Sequence, residues 1–240
     1  MEKKNLRPTS RRGFLGSLAA GTTALGISAI GAPLAAHANN FQEYDPEDPD
    51  AWFNKVKGKH RIVFDATKSL EIFPFAWPRI YLLTNKGTGT DFKDCSVVVV
   101  LRHEAIPYAM QDSLWAKYKF AEYFKVGDLG KAFQAADAAT ATSVRNPFWN
   151  PKPGDFVAPG FGPVAIGIND LQADGVMFCV CDAALTVYSA AMAGMMKTDA
   201  AALKKEWVAG LIPGVQVVPS GVWACGRAQE HGCGYIAVTG

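Results

Sequence analysis

Charge is scarce in this chain, and most familiar cofactor signatures are missing. Asp, Glu, Lys and Arg make up only 19% of 240 residues, too few for a polyelectrolyte tail or a charged coiled coil. None of the five cysteines forms a Cys-x-x-Cys pair, which removes the usual zinc-ribbon and thioredoxin-type arrangements. No Gly-x-Gly-x-x-Gly or Walker loop occurs, and Gly160-Phe161-Gly162 lacks a strand–turn–helix setting. A Gly-x-Ser-x-Gly elbow is also missing, as are internal repeats. What remains is 49% apolar, with 23 Gly and 14 Pro, the composition of a globular chain long enough to bury a core without disulfides.

The net charge of +2 joins two unlike parts. Residues 1–38 hold Lys3, Lys4, Arg7, Arg11 and Arg12 against Glu2, leaving 19 basic and 21 acidic residues in 39–240. The remainder, at a net charge of −2, offers no basic surface for nucleic acid or an anionic membrane. Ser10-Arg11-Arg12-Gly13-Phe14-Leu15 opens an uncharged, small-residue stretch that closes at Ala36-His37-Ala38. This segment resembles a twin-arginine export signal. It implies dealings with the export machinery, a periplasmic product beginning near Asn39, and no stable membrane anchor. Residues 39–58, with Asp45-Pro46-Glu47-Asp48-Pro49-Asp50, read as an extended acidic arm with little to bury.

Residues 59–240 alternate strand and helix signals. His60–Ala66 and Cys95–Leu101 are short apolar runs, the second β-branched on both faces and therefore a central parallel strand. Further strands are expected at Gly175–Cys181, Val215–Pro219 and Gly234–Val238. Helices are expected from Phe73 to Leu83 (with a kink at Pro78), Gln111 to Phe124, Asp182 to Met196, Thr198 to Gly210, and Ser220 to about His231. The result is an α/β domain with one mostly parallel five-stranded sheet and helices on both faces. An insertion at 126–174 breaks this rhythm. Its Phe148, Trp149 and Phe161 suit a neighbouring subunit or the insertion's own domain equally.

Ligands of parallel sheets bind outside the carboxyl ends of the strands. That edge should collect Asp65, His103, Cys181 and Ser220, with Cys225 one turn into the last helix. His60, Cys95, Cys233 and His231 fall at the opposite edge. Cys181 stands where a strand hands over to a helix, so its thiolate meets the positive end of a dipole, although Asp182 opposes this. A buried structural thiol is the alternative. Cys179, two residues earlier on the same strand face, reads as buried. Cys225 either resolves Cys181 or faces the core, and Cys95 and Cys233 are structural. His103 should lie near Cys181 and move a proton or steady a thiolate. Met177, Met192, Met195 and Met196 raise a thioether copper site, but helical spacing favours a core role.

Four pieces of the chain resemble the DsrE/DsrF-like sulfur-relay family. They are Ile62-Val63-Phe64, the strand ending at His103, Phe178-Cys179-Val180-Cys181-Asp182-Ala183-Ala184-Leu185 and Gly214-Val215-Gln216-Val217-Val218-Pro219-Ser220-Gly221-Val222. The resemblance spans roughly 59–125 and 175–240; the insertion and the export signal depart from it. It implies a compact α/β fold, homo- or hetero-oligomers, and a cysteine after the third strand carrying sulfur as a persulfide, which falls on Cys181. The expectation is an exported sulfur-handling protein, a sulfurtransferase or sulfur carrier served by a sulfur donor and an acceptor thiol, with no cofactor or metal. Two other readings stay open: a non-catalytic oligomeric binding module, and a metal or redox cofactor carrier.

Overall fold

Strands β1 (His60–Ala66) and β2 (Cys95–Leu101) pair in parallel over their whole length, His60 opposite Cys95 and Ala66 opposite Leu101. Their apolar runs Ile62–Phe64 and Val97–Leu101 carry buried side chains to both faces of the sheet. Val97, Val99 and Leu101 enter the larger core layer, while Val98 and Val100 enter the smaller one. A strand buried on both faces needs this unbroken apolar run. The computed structural model describes residues 49–126, 129, 133 and 144–239. The export-type segment 1–38, residues 39–48 of the acidic arm and most of 127–143 lie outside the described residues.

Three more strands complete the sheet: β5 (Met177–Cys181), β6 (Gln216–Val218) and β7 (Gly234–Val238), in the order β6-β5-β2-β1-β7. Every pairing is parallel, so all five carboxyl ends share one edge. Two short strands, β3 (Val157–Ala158) and β4 (Gly162–Pro163), form a separate antiparallel ribbon within the insertion. The fold class is therefore α/β with a parallel five-stranded sheet.

Helices cover both faces. Segment α1 (Pro49–Trp52) and the 3-10 turn Phe53–Lys55 pack on the smaller layer together with α8 (Gly221–Glu230). Here the expectation of an extended arm needs correction. Trp52, Phe53 and Val56 are buried; the Phe53 ring lies 4.9 Å from Trp52 and 5.9 Å from Trp223. The acidic residues mask three apolar anchors that the uncovered sheet face requires. Ser96 Oγ secures the exit of this segment by accepting the Gly58 N–H at 2.7 Å.

The larger layer is built by α2 (Phe73–Gly87), α3 (Asp112–Tyr118), α4 (Phe120–Tyr123), α5 (Ile168–Ala173), α6 (Asp182–Met196) and α7 (Ala200–Ala209). Helix α2 starts with Pro74 in its first turn and continues through Pro78. The single helix expected from Gln111 to Phe124 is split at Lys119, which is left-handed at φ 49°. On a continuous helix Tyr118 and Phe120 would face different sides. The break lets both reach Trp207, at 5.8 and 5.0 Å. Helix α7 is capped by Asp199 rather than Thr198, its carboxylate accepting the Ala202 N–H at 2.7 Å.

The described residues 144–174 of the insertion pack mainly on their own domain. Phe148 is fully buried, stacked 4.1 Å from Phe75 and 5.0 Å from Phe156. The buried Asn146 amide donates to the carbonyls of Tyr108 and Met110, and its Oδ1 accepts the Phe148 N–H. Trp149 is half-buried against the same core, so only Phe161, 76% exposed, keeps the character of an outward-facing anchor.

Candidate functional site

Because the strands are parallel, β2, β5 and β6 deliver their last residues to one edge. β5 ends at Cys181, which is also the N-cap of α6 (φ −73°, ψ 111°). Its Sγ accepts the Ala184 N–H at 3.3 Å, so the thiol takes the capping place usually held by Ser, Thr or Asp. β6 leads to Ser220, the N-cap of α8, whose Oγ accepts the Trp223 N–H at 3.2 Å. β2 leads through Arg102 to His103, which is left-handed at φ 52° and begins a 3-10 turn. A non-glycine residue in that region is uncommon and costs conformational energy.

These ends enclose an open cleft of about 400 Å³. Arg102, His103, Cys181, Tyr188 and Ser220 line it together with Ala184, Val187 and Val222, and its surface is mostly apolar. Cys181, His103 and Ser220 thus converge, as the edge argument expects. Cys181 is only 6% exposed and packs with the larger core layer, as the buried-thiol alternative has it, yet it also lines the cleft.

Asp65 and Cys225 are placed differently from the other three. Neither lines the cleft; Asp65 reaches it through Arg102, and Cys225 packs in the smaller core layer. Asp65 is 2% exposed and accepts Arg102 Nε and Nη2 at 2.6 and 2.8 Å. Its Oδ2 also accepts the Tyr235 phenol at 2.6 Å. Burial alone would raise the Asp65 carboxyl, yet hydrogen bonds from Arg102 and Tyr235 and the guanidinium charge hold it below the usual carboxylate range. Accepting that hydrogen bond is also the main reason Tyr235 is pushed up to about 12. The Arg102 stem passes over the start of α8 with no room to spare. A Cβ at Gly221 would fall 2.5 Å from both Cβ and Cδ of Arg102.

The five thiols separate by environment. All are free and buried. Burial, reinforced by the Asp65 charge, pushes Cys225 up to about 12. Burial likewise pushes Cys233 up to about 11 and raises Cys95 and, more strongly, Cys179. In all four, burial disfavours the thiolate. Cys225 contacts Asp65 and packs with Cys179 in the smaller layer, which places it with the core rather than in the cleft. Cys181 alone combines a cap hydrogen bond with a cleft wall. The opposing charge of Asp182 is matched: Lys204 Nζ stands 2.7 and 2.8 Å from its two oxygens.

His103 has a partner that the sequence did not suggest. Tyr188 lies 2.5 Å from His103 Nδ1 through its phenol oxygen. Burial, with the nearby Glu104 charge, pushes Tyr188 up to about 12. Sequence reasoning missed Arg102, Tyr188 and Tyr235. Tyr188 follows Ala184 by four residues and Cys181 by seven, a helical-face signal that could have found it.

Among the described residues no group of three or more His, Cys, Asp and Glu could hold a metal ion, and no helix is long and apolar enough to cross a membrane. No protein-family model matches the chain, and no curated protein matches it.

Proposed function

We propose that this is an exported sulfur-handling protein of the DsrE-like kind, carrying sulfane sulfur as a persulfide on Cys181. The observation that carries the reading is the position of the Cys181 sulfur. It caps α6 through the Ala184 N–H, in the wall of a cleft shared with His103. The Cys181 thiolate attacks the outer sulfur of a donor, and the donor's bond to that sulfur breaks, its electron pair leaving with the donor. An acceptor thiolate then attacks the outer sulfur of the persulfide and releases the Cys181 thiolate. The Ala184 N–H and the positive end of α6 hold the charge on sulfur in both steps, and His103 lines the same cleft.

Export to the periplasm by the twin-arginine route, and assembly as a homo-oligomer, belong to the same reading. Mass spectrometry after incubation with polysulfide tests it: one added sulfur is expected on the wild-type protein and none on Cys181→Ser. Added sulfur that persists in Cys181→Ser would sink the assignment.

A second reading, a non-catalytic oligomeric binding module, draws on the exposed Phe161. Phe161 borders an apolar groove of about 320 Å³ whose other lining includes Ile80 and Leu83. Phe161→Ser should lower the assembly state in size-exclusion chromatography if this surface joins subunits.

A further inference from the structure

We infer that the cleft beside Cys181 selects an organic sulfur donor ending in a sulfur oxyanion, a thiosulfonate R–SO2–S⁻, and that Arg102 is the residue that recognises the oxyanion. The inference rests on the persulfide reading of Cys181 and adds the class of molecule that supplies the sulfur.

Three features of the cleft converge on this ligand. The first is a fixed cation. Arg102 spends Nε and Nη2 on Asp65, which turns the remaining corner of the guanidinium, Nη1, away from the carboxylate. Nη1 makes no hydrogen bond among the described residues, and Arg102 lines the cleft. Asp65 is itself held by Tyr235, and the start of α8 leaves no space for the Arg102 stem to move on that side. A guanidinium immobilised in this way is suited to an oxyanion, whose oxygens accept its N–H groups in a defined geometry.

The second feature is the ring of His103. With Nδ1 engaged by the Tyr188 phenol, Nε2 is the ring nitrogen left for a ligand in the cleft that His103 lines. The third is the wall. Ala183, Ala184, Val187 and Val222 present hydrocarbon to the ligand, and Val187 and Val222 are 63% and 66% exposed. Inorganic thiosulfate or a polysulfide chain gains little from such a surface, whereas the organic substituent of a thiosulfonate buries against it.

The chemistry closes without a proton or an oxidant. The Cys181 thiolate attacks the terminal sulfur of R–SO2–S⁻. A sulfur–sulfur bond forms to Cys181, the bond between that sulfur and the sulfonyl sulfur breaks, and its electron pair departs on the sulfinate R–SO2⁻. Two negative charges enter the step and two leave it, on the persulfide and the sulfinate. An attack of one anion on another needs a fixed positive group to lower their repulsion, and Arg102 occupies that place.

Benzenesulfinate, the product of such a donor, is the probe for binding, measured by calorimetry on Cys181→Ser so that no chemistry intervenes. Benzenesulfinate should bind at least about tenfold more tightly than sulfite, which lacks the apolar part, or than neutral phenyl methyl sulfoxide, which lacks the charge. Arg102→Lys keeps a cation for Asp65, and so keeps the fold, but loses the outward N–H corner; it should weaken benzenesulfinate by about tenfold or more. Equal affinity for the three probes, no binding, or an unchanged affinity in Arg102→Lys would each overturn the inference. In parallel, mass spectrometry follows sulfur transfer to wild-type Cys181 from benzenethiosulfonate and from polysulfide. Selective benzenesulfinate binding with no sulfur on Cys181 from either donor keeps the oxyanion site and removes the persulfide reading. Sulfur acquired equally from both donors, with no role for Arg102, keeps the persulfide and removes this inference.

Discussion

Asp65 of β1 and Arg102, just past the end of β2, meet edge to edge, Nε to Oδ1 at 2.6 Å and Nη2 to Oδ2 at 2.8 Å, and the arginine of this pair lines the cleft. The Asp65 side chain is almost sealed while that of Arg102 retains about a quarter of its exposure, 3% against 26%. The two members therefore have different weights. Removing the carboxylate frees a cation that can partly reach water, whereas removing the arginine strands a buried anion. Asp65→Asn should cost about 3 kcal/mol in urea denaturation at neutral pH, the lower end of what a broken buried pair costs. A change below about 1 kcal/mol would mean that the pair contributes little more than an exposed one.

The same carboxylate makes stability depend on acid. Asp65 is held below its ordinary range when folded, so the folded state binds its proton less readily than the unfolded chain does. Its contribution is complete above the unfolded value of roughly 3.9 and is lost as pH falls through the lower folded value. The wild-type protein should lose stability on acidification below about pH 4, and Asp65→Asn should lose less over the same window. Parallel acid curves for the two proteins would assign the acid sensitivity to other carboxylates.

Phe53 tests the covering of the second sheet face. Its ring is fully buried between Trp52, Trp223 and the His231 ring at 6.0 Å. Phe53→Ala should cost about 3–5 kcal/mol, as large core truncations do. A loose arm would show almost no loss in the same thermal or denaturant measurement.

This segment also shows where sequence reasoning ended. β1, β2 and β7 have the bounds expected for them; β2 was legible because a strand buried on both faces must be continuously apolar, whereas β7 is a largely exposed edge strand. The start of α6 was equally legible, since Cys181-Asp182 closes an apolar run and opens a helical one. Residues 49–56 were not. Their acidic, proline-containing context outweighs Trp52, Phe53 and Val56 in any compositional average, and the need for a cover appears only once α8 is seen to leave part of the face bare. In the site, Cys181, His103 and Ser220 could be placed together because strand ends in a parallel sheet share an edge. The Asp65–Arg102–Tyr235 set could not, because it depends on strand order: Val63 stands opposite Tyr235 only when β7 pairs with β1.

Gly221 offers a case in which two effects oppose each other. Replacing a helical glycine by alanine ordinarily stabilises by about 0.4–1 kcal/mol. Here the added Cβ lands 2.5 Å from two carbons of the Arg102 stem, and overpacking of that kind costs about 1–3 kcal/mol. The steric cost is larger, so Gly221→Ala should be destabilising. Arg102 must shift to admit the methyl, so binding of benzenesulfinate should fall in the same variant. A stabilised Gly221→Ala protein with unaltered binding would show that the contact between α8 and Arg102 yields easily.

Cys181 is both a helix cap and the reactive thiol of the proposed mechanism, and serine separates the two roles. Serine keeps an acceptor for the Ala184 N–H, so Cys181→Ser should be close to wild type in stability. Alanine removes the acceptor and should cost about 0.5–1 kcal/mol, the lower part of the range for lost N-caps, because sulfur is a weaker acceptor than oxygen. Reactivity should follow the opposite logic. With Cys225 at about 12 and Cys233 at about 11, roughly one molecule in ten thousand and one in a thousand carry those thiolates at pH 8. Iodoacetamide at pH 8 should therefore modify Cys181 first in the native protein, and the other four cysteines only after urea unfolding. Peptide mapping after a short native exposure gives the order directly. Modification of Cys225 or Cys179 ahead of Cys181 would contradict the division of the thiols into one at the cleft and four in the core.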